Sequence, residues 1–339
     1  LLVSYTLLVT SGSFVNPVWV SLMKDIVYDN RGNFFGNRNR IVGFIAILAS
    51  LIAGLLLHFF ESINILFGFV IVFVIAFIFR LLSGLSFLYH YEPKFKPAAN
   101  SYFSFFSFVK KIRTSNFARF SFFIALFIFA TSIASPFFTV YIFQDLGFSY
   151  LDWTIITIAG SLSSLLFMPL WGKFTDRFGS VKTITLTGFI IPFIPFIWLL
   201  TYFFRPASFL LIGFLIVLEL GAGFLWAGFN LLFTNFLYDA DSREKTHLCA
   251  AYFNILHGLG IFFGATLGGI LLNQSSTFFG IKMIFIIFIL SGLLRIFSYY
   301  LLIPTIKEVR DVKELSVDSA FKQLKKLHIN PFLDIFELR

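Results

Sequence analysis

Glu219 stands near the centre of an apolar run, 208–235, that contains no other charged residue. A charge at mid-bilayer costs about 2.5–3.5 kcal/mol on insertion scales, so this side chain is not expected to face lipid. Gly223, Trp226 and Asn230 follow it at spacings of four, three and four, which place all four on one helix face. Such a carboxylate can exchange a proton during a cycle or hold a cationic group of a solute. It can equally be a neutral structural group bonded to a neighbouring helix. Thr131, Ser135 and Thr139 recur every four residues around Pro136; their hydroxyls can bond a solute or their own helix backbone. Cys249 is the single cysteine, and no His, Cys or acidic cluster has metal-ligand spacing. Neither a metal nor a cofactor is therefore expected.

The elements that must position these residues follow from composition. Hydrophobic types make up 58% of the 339 residues and charged types only 13%, about half the charge a soluble domain needs to be wetted. The solvent must be lipid. Phe occurs 52 times and is read as bulky lipid-facing side chain. The net charge of +9 is read as basic loops at a membrane surface, without a nucleic-acid partner. A bilayer core of roughly 30 Å takes about 20 apolar residues per helix. That ruler predicts nine transmembrane helices: 1–22, 41–60, 63–88, 119–143, 151–171, 183–203, 208–235, 248–272 and 281–303. All must be helical, since lipid offers no partner to open backbone groups, so the fold class is an all-α polytopic membrane protein.

Sidedness follows from the basic residues. With the loop 23–40 cytoplasmic, every one of the 26 Lys and Arg falls on that side except Arg205 and Lys282, outside, and Arg80 and Arg295, within helices. The positive-inside rule then puts the C-terminal tail in the cytoplasm. Arg80 and Arg295 are expected to snorkel to the interface. The tail, 304–339, carries Lys313, Lys322, Lys325 and Lys326 among apolar residues, and either lies on the inner leaflet or is solvated.

The chain also repeats itself. A shift of 215 residues pairs Asn39 with Asn254, Gly43 with Gly258, Gly54 with Gly269, Arg80 with Arg295 and Ser83 with Ser298. A shift of 214 pairs Asn16 with Asn230 and Asp25 with Asp239, and makes Tyr5 the counterpart of Glu219. The first three helices thus match the last three, and three further helices are expected to precede them in an intact six-plus-six design.

The segment Gly172-Lys173-Phe174-Thr175-Asp176-Arg177-Phe178-Gly179-Ser180-Val181-Lys182 resembles the signature Gly-x-x-x-Asp-Arg-x-Gly-x-basic-basic of the major facilitator superfamily. It departs from it at Ser180 and Val181, where basic residues are usual. The segment is read as a loop between the fifth and sixth predicted helices, with Gly172 and Gly179 permitting a tight turn and Asp176 near a helix N-terminus. The resemblance implies a fold of twelve helices, of which the fourth to twelfth are present. It divides the chain into a partial N-terminal bundle (1–90), a cytoplasmic linker (91–118), a six-helix C-terminal bundle (119–303) and the tail. It implies that Gly172, Asp176, Arg177 and Gly179 form a gating latch, and that the helices of Glu219, of Thr131 and of Tyr5 and Asn16 line a central cavity.

The function so implied is secondary transport of a small solute by alternating access, with a proton as candidate coupling ion. The chain would be a monomer when full length, multi-pass in the plasma membrane, and not an enzyme. No phosphate-binding Gly-x-x-x-x-Gly-Lys loop occurs, which disfavours an ATP-driven pump. A transporter-like receptor or assembly protein is the alternative; a lipid-modifying enzyme lacks the polar cluster it would need.

Overall fold

The computed structural model describes residues 31–89, 103–204, 208–239, 246–274, 277–278 and 280–308, with Leu7, Ser11, Trp19 and Leu22 before them. The expected first span, 1–22, and the tail beyond 308 lie outside these described residues, apart from those four positions. The helices are α1 (Arg31–Glu61), α2 (Ile65–Ser86), α3 (Phe105–Lys110), α4 (Asn116–Gln144), α5 (Tyr150–Phe178), α6 (Ser180–Ile190), α7 (Ile194–Trp198), α8 (Phe209–Asp239), α9 (Thr246–Gln274) and α10 (Met283–Leu302). Two-residue strands β1 (Thr277–Phe278) and β2 (Ile281–Lys282) form an antiparallel hairpin before α10, turning at Gly280. Eight helical stretches among the described residues are long and apolar enough to cross a membrane. One of them, Ser180–Phe203, contains both α6 and α7.

Two expected loops are shorter than hydropathy suggests. The loop 23–40 is already helical from Arg31, and Gly172 through Phe178 complete α5. Polar residues end a membrane span without ending a helix, because helical hydrogen bonds need no lipid.

The chain divides into two compact units, residues 1–101 with 149–158, and residues 102–148 with 159–339. In the first, Asn64 caps α2 through its side-chain oxygen, which accepts from Leu66 N–H at 3.1 Å and Phe67 N–H at 3.3 Å. In the second, α9 lies along α4 and α10 lies beside α4, tied by Ser291 Oγ donating to the Ala130 carbonyl at 2.6 Å. Its core is rich in packed aromatic rings. Phe138 meets Phe288 at 4.4 Å and Trp198 at 4.7 Å, while Trp171, Phe174, Phe178, Leu186 and Ala227 pack together beside the signature segment.

Between α6 and α7 a 3-10 turn, Ile191–Phe193, interrupts the span. Pro195 has no N–H to give the Ile191 carbonyl, which accepts Ile194 N–H instead and, at 3.5 Å, Arg295 Nη1. Arg295 is only 2% exposed, and its Nε has no hydrogen-bond partner. The expected snorkelling therefore fails for Arg295, which is spent on a broken helix instead of the interface. Its repeat counterpart Arg80 is exposed.

Candidate functional site

Glu219 faces a seam between α8 and α5 that only small residues permit. A Cβ on Gly223 would fall 2.1 Å from the Gly160 carbonyl oxygen, and one on Gly160 would fall 3.0 Å from Glu219 Oε2. Backbones approach this closely in membranes where glycine removes the side chain between them. Polar ties extend the seam: Ser163 Oγ donates to the Leu220 carbonyl at 2.6 Å and Trp171 Nε1 to the Phe224 carbonyl at 2.7 Å. The Glu219 carboxylate is half-buried there, with no cation or hydrogen-bond donor paired to it among the described residues.

The rest of the stripe meets other neighbours. The Trp226 ring lies 6.5 Å from Phe127 of α4 and 5.3 Å from Phe229, and those two buried phenylalanines stack at 4.8 Å. Asn230 is exposed. On α4, Thr131 Oγ1 donates to the Phe127 carbonyl at 2.9 Å, so this hydroxyl is used within its own helix. Ser135 is exposed and Thr139 half-buried. Tyr5 and Asn16 lie outside the described residues.

The signature segment is a helix end followed by a one-residue turn. Gly179 takes φ +92°, a conformation that costs glycine alone nothing, and α6 begins at Ser180. Gly172, by contrast, sits inside α5 with open space where a Cβ would be, and makes no turn. Asp176 and Arg177 project from the last turn of α5, both exposed, with the Arg177 guanidinium 5.3 Å from the Phe178 ring centroid. The turn is held from inside by two fully buried hydroxyls: Thr175 and Thr183 lie 2.9 Å apart, so that one donates to the other while that partner donates to its own backbone carbonyl, of Trp171 or Gly179. At the start of α6 the carboxylate in place is Glu308, whose Oε2 accepts Val181 N–H at 2.7 Å. Asn116 clamps the residue before it, exchanging hydrogen bonds with the Lys307 backbone at 2.7 and 2.8 Å.

The family model described as the Major Facilitator Superfamily matches residues 1–265. The chain belongs to this superfamily. No curated protein and no solved structure gives a match. Membership makes the chain an all-α, multi-pass membrane protein of a transporter superfamily.

Around the superfamily signature, residue types alone point to Asp176 and Arg177, and miss Thr175, Thr183 and Glu308. The threonines carry a legible signal, a spacing of eight across a glycine. Glu308 carries none, being 127 residues from the group it caps. An acidic side chain at a helix N-terminus is worth about 1 kcal/mol. Glu308→Gln is therefore expected to lower the thermal midpoint of the detergent-solubilised protein by roughly 3 °C, read by a dye-binding melt; no change would remove Glu308 from the turn.

On the outer side expected from sequence, Asp145 and Lys282 form an ion pair of 2.5 Å. The hydrogen bond that Lys282 donates to the Asp145 carboxylate raises its ammonium above the usual range. Both are partly exposed, and pairs of this kind add little stability.

Proposed function

We propose that the chain is a secondary transporter that moves a small solute by alternating access and couples that movement to a proton at Glu219. The observation that carries this reading is a carboxylate near the middle of the span Phe209–Leu232, unpaired, and lodged at a glycine seam. A group that must bind and release a proton cannot be permanently committed to a cation. It must also be reachable, and Glu219 is not sealed. Rocking of helical bundles about a central site would open it to each side in turn. The gating latch is assigned to Asp176 and Arg177, held by the turn at Gly179. The remaining cavity candidates are Trp226, Asn230, Thr139 and Ser135. The protein is placed in the plasma membrane with its C-terminus cytoplasmic, as a monomer, with bundles 1–90 and 119–303 joined by the linker 91–118.

The test is uptake of a panel of labelled solutes into liposomes holding the purified full-length protein, with and without an imposed pH gradient. At least one solute is expected to accumulate above empty liposomes, and faster with the gradient. A panel in which nothing moves would support a receptor or assembly role, and gradient-independent uptake would remove the proton. Within the same assay Asp176→Asn is expected to cut uptake severalfold while the amount of protein in the membrane stays constant. Unaltered uptake would count against the latch.

A further inference from the structure

Residues 103–115, which lead into α4, form a small capped element with two chemically opposite faces. Ser104 Oγ accepts Ser107 N–H at 3.2 Å to start α3, a 3-10 turn follows over Lys111–Arg113, and Ser115 caps α4. Phe105 and Phe108 turn toward the bundle, and Val109 and Ile112 are half-buried. Phe105 and Phe108 each meet the Tyr252 ring of α9 at 5.6 Å, Phe108 meets Phe117 at 6.0 Å, and the Tyr252 hydroxyl donates to the Phe103 carbonyl. The element is thus fixed at the very end of a membrane span, which begins at Asn116.

The outer face carries Phe106, Lys110 and Arg113, at helical spacings of four and three, with Lys111 beside them; all four are exposed. The Lys111 ammonium lies 5.6 Å from the Phe103 ring centroid, so its stem is laid along the element. Phe106 is 78% exposed while Phe108, two residues on, is 3% exposed. A bare phenyl ring among cations is unfavourable in water but is what an interface between headgroups and acyl chains receives well. One turn into α4, Arg119 adds a buried Nε with no hydrogen-bond partner.

We propose that this face is a binding surface for anionic phospholipid, with Lys110, Lys111 and Arg113 on the phosphodiester and Phe106 entering the glycerol–acyl boundary. The assignment rests on charge complementarity, on the exposed ring, and on attachment at the end of a span. It does not depend on the transport reading. Each basic residue near an anionic surface is worth roughly a fivefold preference.

Full-length protein in a neutral detergent is titrated with mixed phosphatidylglycerol and phosphatidylcholine, and retained lipids are counted by native mass spectrometry. The variant K110Q/K111Q/R113Q is expected to lose at least roughly tenfold in phosphatidylglycerol retention with phosphatidylcholine unchanged. The variant K110R/K111R should retain wild-type preference, and Phe106→Ser should weaken it. Wild-type preference in the glutamine variant would overturn the proposal. So would an equal loss in the tail variant K322Q/K325Q/K326Q, which would mean bulk charge. Inorganic phosphate that displaces phosphatidylglycerol as well as added phosphatidylglycerol does would overturn the lipid assignment in favour of a free anion.

Discussion

Gly264→Val is expected to leave little folded protein in the membrane. On α9, Gly260, Gly264 and Gly268 recur every four residues, and a Cβ on each would fall 2.5, 2.3 and 2.3 Å from the carbonyl oxygens of Ala125, Phe129 and Ile133 on α4. Those carbonyls also recur every four residues, so two helices are laid ridge against ridge with only Cα hydrogens between them. The obstacle to a larger residue is backbone, which cannot rotate aside as a flexible side chain does. Valine at Gly264 must therefore push α9 away along its whole contact with α4, the most extensive helix pairing in the second unit. Overpacking against rigid neighbours costs about 3 kcal/mol here, or a thermal midpoint lower by roughly 10 °C. Gly269→Ala supplies the control, because a Cβ there meets nothing within 4 Å; it should hold or slightly raise the midpoint. A Gly264→Val protein that melts within a degree or two of the parent would sink this account of the seam.

That glycine stripe is legible in the sequence, since Gly260, Gly264 and Gly268 recur every four residues and small residues so spaced let a neighbouring helix approach closely. The membrane spans were equally legible, because lipid imposes one length and one polarity on every crossing helix. What sequence could not resolve was the fate of polar residues. Lys173, Thr175, Asp176 and Arg177 read as a loop because they are hydrophilic, yet they finish α5, and Gly179 alone makes the turn. Arg80 and Arg295 occupy equivalent places in the repeat, but only the second faces a helix opened by Pro192 and Pro195. Its burial depends on a neighbour some hundred residues away in the chain. The Glu308 cap is hidden for the same reason. In the candidate site, the residue types located Glu219, and its partner Gly160 emerged only from the packing of α5 on α8. Thr131 shows what spacing leaves open: of the two partners its position allows, its hydroxyl donates to the Phe127 carbonyl of its own helix.

Glu219→Gln is expected to reduce pH-gradient-driven uptake to the level of empty liposomes while leaving the fold intact. Glutamine keeps the shape of the side chain and removes its capacity to bind and release a proton. The two readings of this carboxyl separate on stability. A structural carboxyl, hydrogen-bonded to a neighbouring helix, would lose a partner on substitution and the thermal midpoint would fall. The seam holds Glu219 against the Cα of Gly160, with no donor paired to it. An ionised carboxylate in mid-membrane carries a burial cost of about 2.5–3.5 kcal/mol on insertion scales, and the amide avoids it. The midpoint of Glu219→Gln should therefore equal or exceed that of the parent, even as coupled uptake disappears. Gly160→Ala adds a methyl 3.0 Å from Oε2, and is expected to impair the same coupled uptake without replacing any titratable group. Unchanged gradient-driven uptake in Glu219→Gln would remove this residue from the coupling mechanism. A lower midpoint accompanying lost uptake would return it to the structural reading.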